Sequence, residues 1–107
     1  MAKHDIAVSE QDLEQLASLF RLLSDRTRLS ILMKLAEGER NVTTLCEDLK
    51  LPQPTVSHHL ALLRMSSIVG NRRAGKQVFY SLNGPTGREA GDGLVFAVQN
   101  YKVRISR

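Results

Sequence analysis

Apolar residues recur along this chain first at helical spacing and later in shorter, β-rich runs. Leu13, Leu16, Leu19, Phe20 and Leu23 fall three or four apart, which predicts an amphipathic helix over roughly 10–23. Ser9 and Asp12 in front of it have the spacing of a capping box, in which each side chain accepts from the other's backbone N–H. Asp25 is placed to cap a second helix that carries Leu29, Leu32, Leu35 and Ala36 on one face, and Gly38 is placed to end it. After Asn41, a short third helix gathers Val42, Leu45, Cys46 and Leu49 on one side. Pro52-Gln53-Pro54 then breaks the chain direction, with Pro54 tolerated in a first helical turn. Val56, Leu60 and Leu63 give a fourth helix its inner face, and that helix frays near Ser66-Ser67.

Beyond it, residues 68–73 and 77–82 are partly β-branched or aromatic and flank Ala74-Gly75-Lys76, so they predict a β-hairpin that ends at Asn83-Gly84-Pro85. Thr86 and Glu89 have capping-box spacing, and Leu94, Val95, Val98 and Tyr101 predict a closing helix, although Gly87, Gly91 and Gly93 weaken its first turns. The expected order is α-α-α-α-β-β-α, a mainly α fold with a small hairpin (α+β), in one domain over 1–107. A short helix, a tight break and a longer helix with a polar side make a helix-turn-helix pattern, and the hairpin after it would be a wing. Neither part is specific alone, but in this order they point to a winged helix-turn-helix.

Composition narrows the function. A chain of 107 residues has room for one modest core and gains from dimerisation. Its 42% hydrophobic content excludes a disordered tail, while 5% aromatics and no Trp leave few platforms for stacking single-stranded nucleic acid. The net charge of +4 favours an anionic partner only modestly, but its distribution is uneven. Residues 1–48 sum to −3, residues 89–107 to +1, and residues 49–88 hold six Lys or Arg and no acid. A single cysteine, Cys46, excludes an intrachain disulfide and fits a reducing, cytoplasmic setting. No apolar run approaches the roughly 20 residues of a membrane span, and Met1–Ser9 lacks a signal-peptide layout. A soluble protein with no membrane partner is expected.

Asp25-Arg-Thr-Arg-Leu-Ser-Ile-Leu32, Leu45-x-x-x-Leu49, Gln53-Pro-Thr-Val-Ser-His-His-Leu60 and Val78-Phe-Tyr-Ser-Leu82 resemble the ArsR/SmtB family of winged-helix repressors over roughly Leu16 to Leu82. The resemblance implies a homodimer, built by the first and last helices (about 9–24 and 86–104), that binds an imperfect inverted repeat of double-stranded promoter DNA. It also implies an inducer, usually a metal ion or a thiol oxidant, that releases the DNA. Here the chain departs from the pattern. Metal-sensing members carry cysteines in the third helix ahead of Asp-Leu, where this chain has Leu45 and Glu47, with Cys46 between them. Residues 84–107 hold no His, and their only acids are Glu89 and Asp92. No metal or other cofactor is expected.

Gln53, Thr55, Ser57 and His58 lie on the early part of the fourth helix, opposite Val56, Leu60 and Leu63. Short donors and acceptors there suit base edges and phosphates in a major groove. Any helix can show a solvated polar face, but the adjacent break and the acid-free stretch favour contact with DNA. Arg72, Arg73 and Lys76 frame the hairpin, and Gly75 permits close approach, so these cations fit the flanking backbone or the minor groove. Arg64 is placed to reach phosphate; Arg28 either does the same or braces the second helix. His59 is turned by about 100° toward the core side, which leaves open a structural role or a phosphate contact. Adjacent His58 and His59 cannot chelate from one helix face, where spacing of three or four is needed. Cys46 reads first as a small buried hydrophobe and secondarily as an oxidation sensor.

These residues favour a sequence-specific homodimeric repressor; the alternatives are an architectural protein that binds any duplex and a protein-interaction module. Catalysis is not expected. Ser57 and His58 are neighbours that point apart, and no nearby carboxylate in sequence orients the imidazole.

Overall fold

The computed structural model describes residues 8–84, 93–98 and 101–106. Four helices form where the apolar stripes fall: α1 (Glu10–Leu23), α2 (Arg26–Ala36), α3 (Val42–Leu49) and α4 (Gln53–Met65). Each of the first three starts at a side-chain cap. Ser9 and Asp12 make the expected reciprocal box, with the Asp12 N–H donating to Ser9 Oγ at 3.0 Å and the Ser9 N–H to Asp12 Oδ2 at 3.2 Å. Asp25 Oδ1 accepts from the Arg28 N–H at 3.0 Å, and that bond holds the Asp25 carboxyl below its usual pKa range. Asn41 Oδ1 accepts from the Thr44 N–H at 2.8 Å.

The hairpin also forms, as β2 (Val69–Ala74) and β3 (Gln77–Leu82), paired from Val69↔Leu82 to Ala74↔Gln77. Its loop is therefore two residues, and Gly75 takes the positive φ (64°) that such a loop requires of its first position. A two-residue strand, β1 (Arg40–Asn41), joins the other edge of β3 to give the order β1-β3-β2. That strand had no sequence signal of its own; it exists because β3 offers it an edge.

The closing helix does not form. Residues 94–98 and 101–105 are instead strands β4 (Leu94–Val98) and β5 (Tyr101–Ile105), paired antiparallel with Val98 opposite Tyr101. The expected capping box at Thr86 and Glu89, together with Gly87, Arg88 and Gly91, lies outside the described residues. The reason for the correction is period. Leu94, Val95, Val98 and Tyr101 fit a helical face, but Tyr101, Val103 and Ile105 alternate strictly with Lys102 and Arg104. The valines and Ile105 also prefer a pleated surface. Leu94, Phe96 and Val98 deliver the inward face of β4 to the core, and Tyr101 and Val103 pack beside them. The first-and-last-helix pairing therefore loses its second helix over 94–98 and 101–105.

One core joins these elements: Leu19 and Leu23 of α1, Ile31, Leu32 and Leu35 of α2, Leu45 of α3, the inner face of α4, Ile68 and Val69, and β4. Among the described residues no helix is long and apolar enough to cross a membrane.

Candidate nucleic-acid interface

The tight break between α3 and α4 is made by backbone. Lys50 adopts the left-handed conformation (φ 55°), and the N–H groups of Lys50 and Leu51 both donate to the Cys46 carbonyl, closing α3 before Pro52 redirects the chain. Pro52 then starts α4 with no side-chain cap, and Pro54 sits in its first turn. The first-turn N–H groups of α4 are thus left to water or to an anion.

The two sides of α4 differ sharply. Val56, Leu60 and Leu63 are 0% exposed. Gln53, His58 and Arg64 are exposed, while Thr55 and Ser57 are half-buried. The Gln53 amide donates to Ser57 Oγ at 2.6 Å, one turn away, so these two polar groups are already aligned with each other. Gln53, Thr55, Ser57 and His58 thus lie together on the early part of one helix, and no Lys, Arg, Asp or Glu stands among them.

His59 resolves to the structural alternative. Its Nδ1 lies 3.2 Å from Arg28 Nη1, and since a guanidinium can only donate, Nδ1 is the acceptor of this contact. The same guanidinium donates through Nε to the Leu22 carbonyl at 2.6 Å and lies 3.9 Å from Asp25 Oδ2. Arg28, with its side chain only 15% exposed, ties the end of α1 to α4 and is a brace. The phosphate contact considered for it would require breaking that set. Sequence separation hides the arrangement, because Arg28 and His59 are 31 residues apart.

On the wing, the cations fall into two groups. Arg73 and Lys76 are exposed and carry no ion pair among the described residues, as is also true of Arg64. Arg72 is engaged: its Nε and Nη2 donate to the two Glu39 carboxylate oxygens at 2.9 and 2.7 Å, and its guanidinium lies 4.9 Å from the Phe79 ring centroid. The paired guanidinium holds the Glu39 carboxyl below its usual pKa range, and Glu39 in turn raises that of Arg72. Residues 49–88 contain no acid, but the fold brings one to them from the preceding segment. Asn41 adds a second tie, donating through Nδ2 to Gln77 Oε1 at 2.8 Å while its Oδ1 caps α3. Replacing Asn41 with alanine should therefore cost about 0.5–2 kcal/mol in urea unfolding and speed amide exchange at the wing base.

Cys46 is half-buried and packs against the core, the position of a small apolar side chain. Among the described residues no three His, Cys, Asp or Glu side chains group as metal ligands.

Comparison with known proteins places this architecture. Residues 25–69, from the α2 cap to the start of the wing, match the model of the bacterial regulatory proteins of the arsR family. The HTH-type transcriptional regulator KmtR of Mycobacterium tuberculosis is 39% identical over 89 residues, covering 83% of this chain and 68% of that protein. The arsenical resistance operon repressor of Escherichia coli K12 is 48% identical over 66 residues, 61% of this chain and 56% of the repressor. The homodimeric winged helix-turn-helix DNA-binding domain Mb0332 from Mycobacterium bovis superposes with a TM-score of 0.67 at 29% identity, over 78% of this chain and 77% of that domain. With a reading helix set on a buried face, a wing beside it and these relatives, the chain belongs to the ArsR family of winged helix-turn-helix transcriptional regulators.

Proposed function

We propose that two copies of this chain act as a sequence-specific repressor on an inverted-repeat operator, each copy setting α4 into a major groove and its wing against the flanking backbone. The observation that carries this reading is the two-sidedness of α4: a wholly buried apolar face behind Gln53, Thr55, Ser57 and His58. Gln53 suits an adenine edge, Thr55 and Ser57 a base or phosphate, and His58 a base acceptor or phosphate. Arg64, Arg73 and Lys76 supply the phosphate contacts. Arg72 enters only through the wing, because Glu39 already holds it.

The second copy is placed across α1 and β5. Phe20 is 67% exposed and Ile105 48%, and between the two elements runs an apolar groove of about 570 Å³ lined by Leu16, Phe20, Leu23, Tyr101, Val103 and Ile105. The outer edge of β5, unpaired among the described residues, and this groove offer a surface for a second copy, and the related Mb0332 domain is a homodimer. The strand pair thereby takes the place expected for a closing helix.

A gel shift on the protein's own promoter fragment tests the reading. Binding should beat random competitor DNA and weaken steeply between two salt concentrations. Equal affinity for random duplex would instead mark an architectural protein, and binding insensitive to salt would overturn the proposal. Within the reading, Ser57→Ala and His58→Ala should each cut discrimination between operator and single-base variants by about 1–3 kcal/mol per lost base contact, with the melting temperature unchanged. A clear fall in melting temperature would make the residue structural.

A further inference from the structure

Arg72 faces away from its neighbouring cation. Strand residues alternate sides. Val69 is buried in the core, so Asn71 and Arg73 share its side of β2 and Arg72 takes the other. On β3, Tyr80 and Leu82 pack against the core, which leaves Phe79, the register partner of Arg72, on the outer side. From there the Arg72 side chain crosses the Phe79 ring and closes its two bonds on Glu39, the residue before β1. It thus runs from β2 over the central β3 to the residue that leads into β1.

We infer that Glu39 and Arg72 are positioning residues, a strap that sets the pose of the wing against the helix-turn-helix, and that Arg72 makes no phosphate contact. The inference rests on the DNA-binding reading above. The wing needs such a device because residues 71–77 are all exposed, so core packing fixes only its base. A wing held in place presents Arg73 and Lys76 to phosphates without ordering a mobile hairpin at the moment of binding. An exposed ion pair adds little to global stability. Its fork geometry and the ring beneath it nevertheless fix a direction.

Charge reversal separates the strap from a phosphate contact. Arg72→Glu sets two carboxylates together, and it should weaken operator binding by about tenfold or more and speed amide hydrogen exchange along β2 and β3 in the free protein. The double variant Glu39→Arg with Arg72→Glu keeps the net charge and rebuilds the pair in reverse. It should recover wing protection, bring affinity back to within about threefold and keep the parent's slope of log affinity against log salt. If Arg72 held a phosphate, the swapped variant would bind as poorly as Arg72→Glu, with a slope shallower by about 0.9, and the inference would fall. Unchanged wing exchange in Arg72→Glu would also overturn it. Exchange is read without DNA, so a parent protein that bound no operator would remove the repressor reading while the strap still stood or fell on its own result.

Discussion

Leu60→Ala should lower the unfolding free energy by about 2–5 kcal/mol. Leu60 is 0% exposed and sits midway along the inner face of α4, between Val56 and Leu63, which are equally buried. Removing its branched end forfeits the transfer free energy of the lost carbons and leaves a cavity that α2, α3 and the strand base cannot close without moving α4 itself. Small domains have only about 5–15 kcal/mol of stability to lose. Thermal unfolding should register about 4–8 °C for each kcal/mol. Operator binding should fall with it, because the reading face is the reverse side of the same helix. Met65, 81% exposed on the same helix, is the control: Met65→Ala should stay within about 0.5 kcal/mol of the parent. A Leu60→Ala protein as stable as that control would mean that α4 does not pack as described.

Reversing both free wing cations, Arg73→Glu with Lys76→Glu, should weaken operator binding by about a hundredfold and make the log–log salt slope shallower by about 1.8. Each lost phosphate contact removes a released counterion, so the slope counts contacts independently of affinity. Both residues are exposed and unpaired among the described residues, so the melting temperature should hold. The ratio of operator to random-DNA affinity should change little, since backbone contacts position the protein and base contacts specify the site. An unchanged slope would take the wing off the phosphates. A collapsed specificity ratio would instead give Arg73 or Lys76 a base to read.

Most of the helix-turn-helix was legible in the chain because its signals are local. Caps lie within three residues of the N–H groups they satisfy, as Ser9, Asp25 and Asn41 show. The apolar period of α4 divides its buried and polar sides without reference to any partner, and Gly75 marks the hairpin loop by the φ it alone adopts easily. The closing segment misled because Leu94, Val95, Val98 and Tyr101 fit a helical period while Tyr101, Val103 and Ile105 fit a strand period. The capping-box spacing of Thr86 and Glu89 favours the helical period, whereas the alternation across Tyr101–Ile105 favours the strand.

What the sequence by itself determined was where four helices and a hairpin begin and end, which side of α4 is apolar, and where positive charge concentrates, because each follows from residues within a turn or a strand of one another. Only the tertiary structure decided how those charges are spent. It brought Glu39 to Arg72 across 33 residues and His59 to Arg28 across 31, engaging two arginines that the sequence offered as candidate DNA contacts, while Arg73 and Lys76 carry no ion pair among the described residues. The strand fate of 94–98 and 101–105 belongs to the same class. A pleated run is stable only where a core waits to receive one face of it, and here Leu19, Leu23 and α2 form that core with Leu94, Phe96 and Val98.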